Sequence, residues 1–233
     1  MRGAFLIFLG IIFIIIGNGF QVERKAGFKI YPIKIVQSFH FGHKNTMADT
    51  FWLNTIQNMD YCENENMERS YNPGIGVDEA LSAKLKPSRC HKGWVFQMMD
   101  FITDISPRFE AVYEVGATVL SVVVDDREGA KIIYDKGLEQ FPNNWILNYR
   151  ASYHYLMELQ KPGRAADLLM AAYKNGGPDF LPTLASRLWS RVGRATLGYT
   201  TLKSFIENNP DSPHISRAKT RLEELKKELN IKE

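Results

Sequence analysis

Residues 137–178 read GLEQFPNNWILNYRASYHYLMELQKPGRAADLLMAAYKNGGP, and this stretch decides the fold. Each end of it carries a segment that is typical of a helix terminus and is closed by a proline. Between the prolines, apolar residues recur at helical spacing over 145–159 and again over 164–174, on either side of the turn residues QKPG. Because a proline just beyond a helix end stops that helix, the stretch predicts two helices joined by a short turn.

The same pattern, a helix-like segment closed by a proline, recurs outside this stretch. Four prolines that close helix-like segments stand 35, 36 and 32 residues apart. They are Pro107, Pro142, Pro178 and Pro210. A period of this length indicates a helical repeat. The outer intervals therefore predict two further pairs, with helices over 108–124 and 128–140 before the quoted pair, and over 180–192 and 196–207 after it.

Small and aromatic residues inside these intervals resemble the tetratricopeptide repeat, a helix-turn-helix unit of about 34 residues. The matching positions are Gly116, Ala130 and Tyr134 in the first unit, Ala165, Ala166, Tyr173 and Pro178 in the second, and Ala185, Trp189, Leu202, Phe205 and Pro210 in the third. The resemblance extends to bacterial membrane-anchored proteins that contain such repeats. It implies an all-α solenoid of about three to four stacked units, in which neighbouring helix pairs share a core.

The segments before and after the repeats are expected to form further parts of the protein, beginning with an apolar segment near the N-terminus. The run from Ala4 to Phe20 has no charged residue, and as a helix it would be about 25 Å long, against a bilayer core of about 30 Å. Residues 1–20 are therefore expected to form a transmembrane helix, with a cleaved signal segment as the alternative. The other expected parts are a short extended tether over 21–45, a first helical pair over 46–105 with a loop insertion at 62–90, the repeats over 106–210, and a capping helix over 211–233.

The chain contains two cysteines, Cys62 and Cys90, which flank a stretch rich in Asn, Gly and Pro. A disulfide between them would limit the unfolded states of this loop, and disulfides persist in oxidising compartments. We therefore expect a Cys62–Cys90 disulfide and a periplasmic repeat domain, held by a single pass in the bacterial inner membrane. Two unrelated thiols are the alternative, and the basic residues after the apolar run would favour a cytoplasmic domain.

Composition and motifs give little reason to expect catalysis. A net charge of +3, from 29 basic and 26 acidic residues, does not predict a nucleic-acid surface. The residues at 74–76 lack the rest of a nucleotide-binding loop, and Asp125-Asp126 is better explained by a helix N-cap than by paired catalytic carboxylates. His40 and His43 lie close together and His91 follows Cys90, but the spacing of these residues and Cys62 matches no compact zinc site. We expect no metal and no cofactor.

In an array of this kind, the first helices of the pairs line a concave surface that takes a peptide or a partner helix. The outward positions implied by the resemblance are Tyr113, Asn148, Tyr155, Arg187 and Arg191. Tyr and Arg are frequent binding anchors. The sequence therefore predicts a scaffold that holds proteins of an envelope or membrane complex together. A chaperone-like adaptor for client peptides is the alternative, and an enzyme using the region between the cysteines is a third.

Overall fold

The computed structural model describes residues 42–59 and 88–231, all of which fall within the unit Pro32–Glu233; the unit Met1–Tyr31 lies outside the described residues. In the described ranges every regular element is helical. The helices are α1 Lys44–Gln57, α2 Trp94–Ile105, α3, α4 Arg127–Gln140, α5, α6 Pro162–Lys174, α7 Leu181–Arg191, α8 Ala195–Asn208 and α9 Ile215–Glu228. Helix α3 consists of π-helical Val112–Gly116, α-helical Ala117–Val119 and π-helical Leu120–Val124, while α5 consists of α-helical Trp145–Tyr153 and π-helical His154–Glu158.

The predicted all-α class is confirmed for the described residues, and the three predicted helix pairs are present as α3 with α4, α5 with α6, and α7 with α8. Their ends differ from the predicted ends by a few residues, as expected for terminal turns. The predicted anchor at 1–20, nearly all of the tether at 21–45 and most of the insertion at 62–90 lie outside the described residues. None of the helices that the structure describes combines the length and the apolar character needed to cross a membrane.

The helices pack in the order in which they occur along the chain. Each helix from α1 to α9 contacts the next one, and contacts between next-but-one neighbours join α2 to α4, α3 to α5, and α7 to α9. One apolar core extends without a break from Ala48 to Trp189, and a second, centred on Leu202 and Leu225, meets it at Tyr173. Neighbouring helices therefore share apolar surface that no single pair could bury alone.

Close helix crossings depend on residues without bulky side chains. A methyl group placed on Gly137 of α4 would lie 2.7 Å from Cβ of Tyr113 on α3. At the α7–α8 crossing, a methyl group on Gly198 would lie 3.2 Å from Cα of Ser186. Such short approaches explain why small residues recur in the second helix of each pair, where Ala130, Ala165, Ala166 and Ala195 are also buried.

The break between α3 and α4 is built by two consecutive aspartates. Asp125 adopts a left-handed conformation, with φ of 58°, and ends α3. The backbone N–H of the fully buried Asp126 donates to the Leu120 carbonyl at 2.8 Å. The Asp126 carboxylate accepts hydrogen bonds from the N–H of Gly129, at 2.8 Å through Oδ1, and from the N–H of Gly93, at 3.3 Å through Oδ2. The predicted N-cap is thus confirmed, and the same side chain also holds the residue that precedes α2.

The segment before α2 lies against this break. The N–H of Arg89 donates to Oδ2 of Asp125 at 3.0 Å, and the N–H of Cys90 donates to the Asp125 carbonyl at 3.2 Å. The Cys90 side chain is buried. Cys62 lies outside the described residues, so the Cys62–Cys90 disulfide stays a prediction.

We predict that Gly137→Ala destabilises the protein by about 1–3 kcal/mol, because the new methyl group must push Tyr113 or the whole of α3 aside. Gly163→Ala is the matched control, since its methyl group would meet only Cγ2 of Val192, at an ordinary 3.7 Å. We expect it to leave stability unchanged or to raise it by up to about 1 kcal/mol. Urea denaturation of the two variants measures the difference, and equal effects would contradict a close α3–α4 crossing.

Candidate binding surface and histidine cavity

Three of the five predicted groove residues are not on the surface. Tyr113, Asn148 and Tyr155 are 1%, 3% and 5% exposed, so the expectation that they face outward is wrong. Each is buried because its polar group has a partner inside the protein. The Tyr113 hydroxyl donates to the Pro107 carbonyl at 3.0 Å, and the Asn148 amide donates to the Pro142 carbonyl at 2.9 Å.

The third of these residues bonds across two helices. The Tyr155 hydroxyl donates to Oδ1 of Asp135 on α4 at 2.6 Å. Burial and this carboxylate raise the pKa of the Tyr155 phenol well above its usual value, so the phenol stays protonated. A similar hydrogen bond joins α7 to α6. Nε1 of Trp189 on α7 donates to Oδ1 of Asp167 on α6 at 2.9 Å. These side chains fix the packing of one helix pair on the next and leave little for a partner to contact.

The other two predicted residues are exposed. Arg187 and Arg191 stand four residues apart on α7, on one face of the helix. Helices α3 and α5 also present large apolar side chains to solvent: Val115 is 42%, Val122 is 56% and Tyr153 is 46% exposed. The first helices of the three pairs therefore expose apolar residues on α3 and α5 and cationic residues on α7. We call these exposed side chains together the first-helix surface.

A cavity of about 260 Å³ opens among α3, α4 and α5. Val122 and Tyr153 belong to its wall and are also members of the first-helix surface. Tyr149 and Tyr153 of α5 form part of the wall. Their ring centroids lie 5.0 Å apart, edge to face, and their hydroxyls 3.2 Å apart. Burial and the neighbouring hydroxyl raise the pKa of Tyr149 to about 12, so its phenol remains neutral near pH 7.

The polar part of this cavity is a buried serine–histidine pair. Oγ of Ser121 lies 2.8 Å from Nδ1 of His154, and the two residues are 6% and 3% exposed. Both lie in π-helical segments, which widen the helical turn and are frequent at functional sites. The Tyr134 ring covers the imidazole at a centroid distance of 5.4 Å. A polar pair is thus held in a largely aromatic environment.

Burial keeps the imidazole of His154 neutral. Desolvation is the largest effect and lowers the pKa of His154 to about 4, while the backbone of Arg127 and the Asp135 carboxylate act in the opposite direction. The backbone of Arg127 hydrogen-bonds to the ring, and Nε2 has almost no accessible surface. The ring is therefore a buried, neutral polar group.

Two larger cavities lie on other parts of the array. One of about 680 Å³ is lined by α6, α7 and α8, and the Asp167 carboxylate in its wall already pairs with Arg194 at 3.1 Å. The other, of about 480 Å³, contains Lys136, whose ammonium group bridges Asp100 and Asp104. Asp167 and Lys136 are thus each paired with an opposite charge of the protein itself. Within 42–59 and 88–231, no three His, Cys, Asp or Glu side chains are grouped so as to hold a metal.

The sequence does not predict Ser121 and His154 as a site. They are 33 residues apart on different helices, and no motif links a single serine to a single histidine at that distance. Only the tertiary structure brings them together. No protein-family model, curated protein or solved structure matches the chain.

We predict that His154 makes stability depend on pH. The unfolded imidazole binds a proton below about pH 6.5, whereas the folded one resists protonation down to about pH 4. The contribution of neutral His154 to the free energy of unfolding is therefore fully present above about pH 6.5, and it falls by up to about 3 kcal/mol as the pH is lowered towards 4. Denaturation of wild type and His154→Gln at several pH values measures this. The variant should lose less stability than wild type over that interval, and parallel curves would contradict the assignment.

Proposed function

We propose that the chain is a membrane-anchored scaffold resembling tetratricopeptide-repeat proteins, and that its first-helix surface binds another protein of a bacterial envelope complex. The observation that carries this proposal is the distribution of side chains on α3, α5 and α7. One face of each helix is buried in the shared core, while the other exposes Val122, Tyr153 or the pair Arg187 and Arg191. Aromatic and arginine side chains on such a face are frequent anchors for a partner.

The comparison with tetratricopeptide repeats is supported by equivalent contacts in successive pairs. Tyr113 in α3 and Asn148 in α5 both reach back six residues to the carbonyl of a proline, Pro107 in one case and Pro142 in the other. In each case the bond ties the first helix of a pair to the turn before it. The recurrence at the proline period is what repetition of a single structural unit would produce.

The membrane part of the proposal rests on the sequence. Residues 4–20 carry no charge, and they lie outside the described residues. We propose that they hold the protein in the inner membrane by a single pass, with residues 21–45 as a tether and the helices in the periplasm. A disulfide between Cys62 and Cys90 would suit that compartment.

The exposed charges indicate the chemistry of the partner. Arg187 and Arg191 could be bridged by one acidic segment, since guanidinium groups bind carboxylates through paired hydrogen bonds. Val122 and Tyr153 add apolar contact area on the neighbouring first helices. We therefore propose a partner segment that combines carboxylates with apolar side chains.

The test is affinity purification of the full-length protein from detergent-solubilised membranes, with the double variant Arg187→Ala/Arg191→Ala. Loss of two charge-assisted contacts should reduce the recovered partner at least about tenfold. Lys203→Ala/Lys219→Ala is the matched control, because it removes two exposed cations from α8 and α9, outside the first-helix surface. Thermal melting followed by circular dichroism checks that each variant is folded.

A scaffold should yield one or a few partners in fixed proportion, whereas a chaperone-like adaptor should yield many clients in small amounts. Recovery of the same partner in the same amount with both double variants would refute binding through Arg187 and Arg191.

A further inference from the structure

Charge is distributed unevenly along the described helices. Residues 94–140, which contain α2, α3 and α4, include nine acidic and four basic residues. Residues 145–231, which contain α5 to α9, include eight acidic and thirteen basic residues. The small net charge of the chain thus combines an acidic first part with a basic second part. Complementary charges steer proteins together and fix their register, and a second copy of this chain carries both signs.

Two carboxylates at the start of α3 have no cation as a partner. Nδ2 of Asn144 donates to Oε1 of Glu110, just before α3, and to Oε1 of Glu114 on α3, in the latter case at 2.7 Å. Arg150 donates to the backbone carbonyl of Glu114, at 3.1 Å. No cation in the described ranges forms an ion pair with either carboxylate. The two negative charges are therefore side by side and share only a neutral amide.

Helix α7 carries a matching pair of cations. Arg187 and Arg191 are exposed and stand four residues apart, a spacing that places their Cβ atoms about 5–6 Å apart. The two carboxylates are also four residues apart in the chain, and they are close enough to share one amide donor. An exposed valine directly follows the second charge of each pair: Val115 is 42% and Val192 is 40% exposed. The two surfaces therefore match in charge, in spacing and in the adjacent apolar side chain.

We propose that a second copy of this chain binds at the α7 arginines and presents Glu110 and Glu114 to them. Guanidinium groups bind carboxylates through paired hydrogen bonds, and Oε2 of each glutamate accepts no hydrogen bond from the residues that the structure describes. Within one copy, the pair α5 and α6 lies between α3 and α7 in the packing order. The contact is therefore made between copies.

This inference rests on the proposed function, because it names the source of the carboxylates that meet the α7 arginines. Val122 and Tyr153 take no part in the contact between copies. They stay exposed for a protein of another kind.

The first test measures self-association of the purified full-length protein in a non-ionic detergent by sedimentation velocity. Raising NaCl from about 50 mM to about 500 mM should weaken the association at least about tenfold, because salt screens exposed ion pairs. Association through the apolar residues 4–20 would not respond to salt. This measurement uses wild-type protein, so it does not depend on the folding of any variant.

The second test reverses the charges. Glu110→Arg/Glu114→Arg and Arg187→Glu/Arg191→Glu each remove two charge-assisted contacts and place like charges opposite one another. Each variant alone should self-associate at least about a hundredfold more weakly than wild type. An equal mixture of the two should associate within about tenfold of wild type, because opposite charges then face each other again. A misfolded α3 or α7 would not be rescued in this way.

Two further variants control for the change in net charge. Lys203→Glu/Lys219→Glu matches the α7 variant, and Glu207→Arg/Asp211→Arg matches the α3 variant. All four residues are exposed and lie on α8 and α9 or between them. Both controls should associate as wild type does, and circular dichroism checks that every variant is folded.

Three results would overturn the inference: a wild-type protein that stays monomeric at the highest attainable concentration, an association that does not respond to salt, and a mixture of the two reversed variants that does not associate. If another protein is still recovered from membranes through the arginines, only the inference about a second copy fails. Self-association without recovery of any other protein would contradict the proposed function alone.

Discussion

Asp126 is the residue at which three helices are held together. It is fully buried, and it accepts hydrogen bonds from the N–H groups of Gly129 at the start of α4 and Gly93 just before α2, while its own N–H bonds to Leu120 near the end of α3. A buried anion is tolerable only where donors replace the lost water, and the amino end of α4 adds a favourable dipole. One residue therefore joins α2, α3 and α4, through its side chain to the starts of α2 and α4 and through its backbone N–H to α3, and the later helices pack outward from that base.

From this base onward, packing is governed by close crossings and internal hydrogen bonds. Gly137 lets α4 lie directly on Tyr113, and Gly198 does the same for α8 on Ser186. Between pairs, Asp135 and Asp167 accept from Tyr155 and Trp189 of the following helix. Tyr155 and Trp189 are thereby held in the interior, while the first helices expose Val122, Tyr153 and the α7 arginines. The proposed binding surface and the histidine cavity are both consequences of this arrangement.

The positions of the helices could be predicted from the sequence, but which of their side chains are exposed could not. Prolines near the ends of helices and the small residues at their crossings are local signals, so the three helix pairs and the cap at Asp126 could be predicted from the sequence. The outward residues are those that the resemblance to tetratricopeptide repeats implies. Positions carried over from such a repeat do not hold where the helical turns widen, and Tyr113 and Tyr155 both lie in π-helical segments. Asn148 is in an ordinary helical turn, but its bond to the Pro142 carbonyl holds it inside. Ser121 and His154 also lie in π-helical segments, and they meet only through contacts between separate helices, which no local pattern encodes.

The central claim, that Asp126 holds α2, α3 and α4 together, is tested most directly by amide hydrogen exchange and unfolding of Asp126→Ala. The variant leaves the N–H groups of Gly93 and Gly129 without their acceptor, so both should lose protection, and the free energy of unfolding should fall by about 2–4 kcal/mol. Asp211→Ala, at an exposed position before α9, should change that free energy by no more than about 0.5 kcal/mol. If Asp126→Ala were as stable as Asp211→Ala and kept both amides protected, the account given for the junction of α2, α3 and α4 would be wrong.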